Sequence, residues 1–182
     1  MRWPEAQPIL PSGWSWATVR DIANTQLGKM LDSSRQTGKF TTPYLRNVNV
    51  RWHSFDLANM KSMDIRPDER GRFLARAGDV LVTEGGEIGR AAVWNSRNEV
   101  AIQKTIHRLR PLAMTSPQLL AFSFEHMAAS GYLEPFATGV TIKHLTQENV
   151  RNVPVPVPPL AEQRRIVDAL DTYGGRNGIT NA

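Results

Sequence analysis

From Val153 to Pro159 the chain alternates valine with proline and closes on a proline pair. Each proline lacks a backbone N–H, so this run cannot be a central strand; it can be extended only along the edge of a sheet. Pro159 then opens a helix, LAEQRRIVDALDTY, because a proline at the first helical position gives up no needed hydrogen bond. Leu160, Val167 and Leu170 fall on a heptad seam with Ile166 beside it, and Gly174 and Gly175 stop the helix. The remaining RNGITNA has no pattern and is expected to fray. An edge strand followed by a helix therefore closes whatever fold precedes it.

Upstream, Trp16, Val19, Ile22 and Ala23 share helical spacing after a turn at Ser12, which predicts a short amphipathic packing helix ended by Gly28. Met30 to Thr42 is polar and reads as a long loop. Tyr44 to Trp52 alternates, offering Leu45, Val48 and Val50 for burial and Arg46, Asn47, Asn49 and Arg51 to the other side, as in a strand with one imperfect step. Val80 to Val82 and Ala91 to Trp94 flank a glycine-rich connection and predict a β-hairpin or a wide strand-loop-strand. Ala101 to Leu109 alternates again, and either parity can face the core. Ser116 caps a helix with Pro117 at its first position, running through LLAFSFEHMAAS to Gly131. Thr138 to His144 is a second glycine-containing polar loop, and Thr146 caps a short turn at Gln147 to Val150. The class is α+β: a central twisted sheet with flanking helices, then a C-terminal helix.

At 182 residues, 41% of them hydrophobic, the chain suits one domain or one domain with an appended element. It has no cysteine, which excludes disulfides, thiolate metal sites and cysteine nucleophiles and makes the cytoplasm the expected compartment. No signal-peptide core opens it and no run of about 18 apolar residues occurs, so no membrane insertion is expected. The net charge of +5 is unevenly placed. Lys29, Arg35, Lys39, Arg46 and Arg51 face only Asp32 in one window; Arg90, Arg97, Lys104, Arg108 and Arg110 face only Glu99 in another. Two such windows suit a polyanion, although two solvated strand faces would give the same pattern.

Catalytic chemistry finds little support. His53, His107, His126 and His144 are widely spaced and form no metal-binding pattern. Gly85, Gly86 and Gly89 match neither a dinucleotide fingerprint nor a P-loop. The TTPY at Thr41 to Tyr44 lacks the first residue and second proline of the adenine-methyltransferase tetrapeptide. Asp79, Glu84 and Glu87 are close in sequence, as nuclease metal ligands would be, but no lysine follows at the expected spacing.

In order, the pieces PSGWSWATVRDIA, the Gly28–Lys29 loop, YLRNVNV, GDVLVTEGGEIGRAAV, AIQKTIHRLRP, TGVTIKHL and VPVPVPPLAEQRRIVDAL resemble the specificity subunits of type I restriction-modification systems. The resemblance spans roughly Leu10 to Leu170 and is most specific at Gly78 to Gly89 and at the PPLAEQRRI helix start. It implies the DNA-reading part of a complex whose methyltransferase and translocase subunits are separate chains, with no catalytic residue, metal or cofactor of its own and the methyl donor held by the partner. Family members usually carry two recognition domains separated by long helices. Here there is one, and the last helix has about four turns. A half or truncated subunit is therefore expected, with residues 1–153 the target-recognition domain, 154–174 the start of a spacer or dimerisation helix and 175–182 a flexible tail.

Reading DNA needs cations for phosphates and planar hydrogen-bonding groups for base edges. Tyr44, Arg46, Asn47, Asn49 and Arg51 supply these types on one segment, Arg90, Gln103 and Lys104 on others. By resemblance the Gly139 loop, with Thr138, Thr141, Lys143 and His144, also faces DNA, and Lys29 contacts a phosphate. Asn49 would equally suit a turn, Trp52 the core, and Thr138 with Thr141 a helix cap. Leu160, Ile166, Val167 and Leu170 would dock on modification subunits, and through them a restriction subunit, or pair with a second copy. The alternative is a specificity fragment that binds modification subunits without reading DNA; a solitary enzyme is a third reading, disfavoured by the missing motifs.

Overall fold

The computed structural model describes residues 8–173; the expected helix stop at Gly174 and Gly175 and the RNGITNA tail lie outside the described residues. The chain begins with β1 (Ser15–Thr18), a single helical turn α1 (Val19–Ile22) and β2 (Ala23–Leu27). The packing helix expected here is thus one turn long. Trp16 lies on a strand, because β1 is claimed by the Val-Pro segment, β12 (Pro154–Val157), in an antiparallel ribbon that sets Ser15 opposite Val157 and Thr18 opposite Pro154. Among the described residues the ribbon has no third strand, so prolines missing from the ladder leave no neighbour unpaired.

Two four-stranded sheets take the place of the single central sheet that the alternation suggested. One contains β3 (Thr41–Leu45), β6 (Lys61–Asp64), β7 (Leu74–Ala75) and β10 (Val100–Ile102) in the order β6-β3-β10-β7, with β10 parallel to β3. The other contains β2, β8 (Val80–Thr83), β9 (Ala91–Val93) and β11 (Ile106–Pro111) in the order β2-β11-β8-β9, all antiparallel. A small ribbon pairs β4 (Val50–Arg51) with β5 (Ser54–Phe55), and a short α2 (Arg70–Phe73) precedes β7. The expected hairpin around the glycine-rich connection is the β8–β9 pair.

Helix α3 (Pro117–Ala129) covers one face of the second sheet, its first turn capped by the Ser116 side chain, which accepts from Leu119 N. Leu120, Ala121, Phe124 and Met127 meet Val80, Val82, Ala91 and Leu109 in one core. The opposite face of the same strands presents Leu81, Ala92 and Ile106 to Leu45, Val100 and Ile102 of the first sheet. Burial on both faces explains why β8 reads as a continuous apolar run and not as an alternation. Phe124 is fully buried; burying such a side chain stabilises the fold by roughly 2–3 kcal/mol.

The stretch that alternates from Ala101 to Leu109 is two strands, not one. The turn at 103–105 passes the chain from the first sheet to the second, with Gln103 N donating to Leu45 O and Ile106 N to Gln103 O. Helix α4 (Gln147–Asn152), capped by the Thr146 side chain, leads into β12, and α5 (Leu160–Tyr173) follows. Gln163 is the anchor of α5: nearly fully buried, it donates to Met114 O and Pro158 O and accepts from Ser116 N. No helix among the described residues is long and apolar enough to cross a membrane.

Candidate nucleic-acid interface

Arg46, Asn47, Asn49 and Arg51 do not line up along a strand. Residues Asn47–Asn49 wind into a 3-10 turn between β3 and β4, which exposes Val48 and buries Asn49. The Asn49 amide closes that turn, accepting from Arg46 N at 2.9 Å and donating to Asp56 O at 2.8 Å. Buried and bonded on both sides within the turn, it is out of reach of a base edge, so the turn reading is correct for Asn49. Tyr44 is likewise removed from the surface, buried among Met63, Ile65 and Leu74. Arg46 is half-buried and donates to Asn59 O, while Arg51 stays exposed beside Asp56.

Lys29 is not free to hold a phosphate. Its ammonium sits 2.6 Å from Glu69 and 2.8 Å from Asp64 O, with most of the side chain covered. The preceding glycine has a packing reason: a Cβ at Gly28 would lie 2.2 Å from Gln103 O and 2.4 Å from Ile102 O. The Gly28–Lys29 pair therefore clasps the end of β2 to the 103–105 turn. Arg108 and Arg110 also leave the basic surface. Arg108 is buried against Gly71 O and Leu74 O, and Arg110 makes a two-point contact with buried Asp79 at 2.8 Å. Asp79 is accordingly a structural carboxylate and no member of a nuclease cluster.

What the fold does bring together lies at the end of β8. Asn47 donates from its amide nitrogen to Gly85 O and accepts from Arg90 at 2.8 Å, and Arg90 also reaches Asn47 O and Glu87. Asn47 and Arg90 thus brace the 84–90 connection. The 138–144 loop hangs from the same place. Thr138 and His144 exchange backbone hydrogen bonds of 2.9 and 2.8 Å across its neck, so Thr138 closes the loop and caps no helix. Gly139 needs its positive φ of 98°, and a Cβ there would lie 2.3 Å from Ile142 O. Val140, Thr141, Ile142, Lys143 and His144 are exposed, with Lys143 paired to Glu134.

The loop is fixed to the scaffold by contacts that sequence reasoning did not foresee. His144 bridges to Gly85, and Leu145 N donates to Glu84 O at 2.7 Å. Buried His107 meets Leu145 O through Nε2 at 2.6 Å, and burial pushes its pKa down to about 4, so the ring is neutral and Nε2–H is the donor. Lys104 is exposed on the adjoining 103–105 turn, with Gln103 half-covered beside it. Glu84 lies between that turn and the loop; burial raises its pKa, opposed by His144 and Lys104. Beneath the loop a groove of about 670 Å³ is lined by Trp52, Glu87, Glu125, Glu134 and Ile142 among others. Among the described residues no group of three or more His, Cys, Asp or Glu could hold a metal ion.

Exposed Lys104, Lys143 and His144, a glycine hairpin that lets a backbone approach closely, and rigid bracing behind them make a surface that can follow a polyanion and present side chains to it. Chains of known kind share this architecture. An HsdS subunit from Thermoanaerobacter tengcongensis superposes with a TM-score of 0.69 at 23% identity, covering 95% of this chain and 40% of that one. A chain from a structure of a type I R-M system, solved to describe its complex assembly and conformational transition, gives 0.74 at 23% identity, covering 95% and 41%. Among curated proteins, the EcoEI specificity subunit of Escherichia coli is 23% identical over 182 residues, covering 90% of this chain and 29% of that protein. The EcoBI specificity subunit of Escherichia coli is 26% identical over 168 residues, covering 90% and 35%. The chain thus spans about a third of the length of these relatives. Its sequence also matches the family model described as the type I restriction modification DNA specificity domain from residue 11 to residue 182, and to that family the chain belongs.

Proposed function

We propose that this chain is a non-catalytic DNA-reading unit that directs type I modification and restriction subunits to one part of a target sequence. The observation that carries the reading is the exposed Gly139 hairpin, hung from Gly85 and Leu145 beside Lys104. Lys104, Lys143 and His144 are the candidates for phosphate contact, and Gln103, Thr141 and the edge of the Asn47–Arg90 brace for base contact. Methyl transfer and translocation belong to partner chains, the methyl donor included. Helix α5 offers them, or a second copy, Leu160, Ile166 and Val167 half-covered and Leu170 exposed.

Sequencing the host genome for modified adenines, with the gene intact and deleted, tests this directly. Loss of one methylated motif on deletion is the expected result, and a two-fold symmetric bipartite motif would point to two copies acting together. An unchanged methylome would overturn it.

A further inference from the structure

The geometry points to Glu84 as a specificity-determining residue whose carboxylate accepts a hydrogen bond from the exocyclic amino group of a cytosine or an adenine in the major groove. This rests on the DNA-reading role proposed above and adds the chemistry of one position within it.

Glu84 has both backbone groups bonded. Its N–H donates to Thr105 O at 2.9 Å and its carbonyl accepts from Leu145 N at 2.7 Å, which pins it between the 103–105 turn and the root of the 138–144 loop. The side chain is treated differently. Glu84 is half-buried, yet its carboxylate enters no hydrogen bond or ion pair among the described residues. The other covered acids of the two sheets and their connections have donors: Asp64 takes Thr37, Gly38 and Phe40, Asp79 takes Arg110, and Glu69 takes Lys29. Lys104 and His144 act on Glu84 only through space.

A carboxylate that has given up part of its water without gaining a donor is incomplete, and it repels phosphate, so the DNA backbone cannot complete it. Base amino groups can. The major groove offers neutral N–H donors at cytosine N4 and adenine N6, whereas guanine and thymine present acceptors there that a carboxylate rejects. Lys104 and His144 on either side would hold phosphates and bring the acid to the base edges. Glu84 would therefore act by attraction to one pair of bases and by repulsion of the other pair.

The test is selection from a randomised duplex library by the full chain co-expressed with its modification subunits, comparing wild type, E84Q and E84A. Wild type is expected to require cytosine or adenine at one position, the base enriched deciding between them. E84A should lose that requirement by about tenfold or more at that position alone, and E84Q should move it toward adenine, which an amide pairs at two points. Uniformly tighter binding by both variants with an unchanged motif would make Glu84 a mere source of repulsion and overturn the inference while leaving the DNA-reading role intact. Failure of wild type to enrich any sequence would overturn both.

Discussion

His107 holds down the root of the 138–144 loop only while its imidazole is neutral. Its Nδ1 is buried without a partner, and its pKa is pushed to about 4 by burial. In the unfolded chain a histidine titrates near 6.5, so between these values the unfolded state takes up a proton that the folded state refuses. The stabilisation is therefore complete above about pH 6.5 and is lost as the pH falls toward 4, with a span on the order of 3 kcal/mol. Replacing His107 with Gln should lower stability at pH 7 and flatten this dependence, checked by urea midpoints at pH 7 and pH 5. Equal pH slopes in the two proteins would contradict it. Residue identity alone gave no hint of this role, because a histidine within an alternating strand is as consistent with an exposed position. Asn49 and Lys29 show the converse. Their chemistry suits DNA, but an asparagine can also close a turn upon itself and a lysine can be met by an acid forty residues away in sequence, Glu69.

Elements were legible where the chain carries its own punctuation. Ser116 with Pro117, Thr146 before α4, and the Val-Pro run each state a local rule that no tertiary contact overrides. The misread elements are those in which alternation continued across a change of partner. From 101 to 109 the pattern runs unbroken, yet the chain leaves one sheet for the other at 103–105, because both strands are buried and the turn needs no glycine of its own. The Tyr44 to Trp52 alternation likewise hides the turn closed by Asn49. The Gly139 loop was recognisable from its composition, and its conformation gives a clean separation of stability from function. Gly139→Ala places a side chain at positive φ and against Ile142 O, a strain of about 1–3 kcal/mol confined to an exposed hairpin. We expect DNA affinity to fall about tenfold or more while the melting temperature moves by only a few degrees. Calorimetry alongside a binding titration checks this, and a large fall in melting temperature with binding retained would refute it.

Across the whole molecule, charge counted from the sequence overstates the basic surface, since Lys29, Arg90, Arg108 and Arg110 are taken up by internal partners. What remains exposed near the loop is Lys104 and His144, with Lys143 exposed but paired to Glu134. Salt dependence is the measure of how many of these meet phosphates, and Lys104→Ala should reduce the slope of log affinity against log salt by about 1, weakening all sequences alike. An unchanged slope would place Lys104 off the DNA backbone. The β1–β12 ribbon has a different consequence. With Ser15 opposite Val157, the chain enters and leaves the domain through a single doorway whose two sides are bonded to each other. Both sheets, the turn and the loop lie inside; α5, with Leu170 exposed on it, lies outside, anchored by Gln163. Recombination at these two short strands would exchange the contents of the room without disturbing its frame, and if the proposed DNA-reading role holds, such an exchange would change what is read and leave α5 as it is.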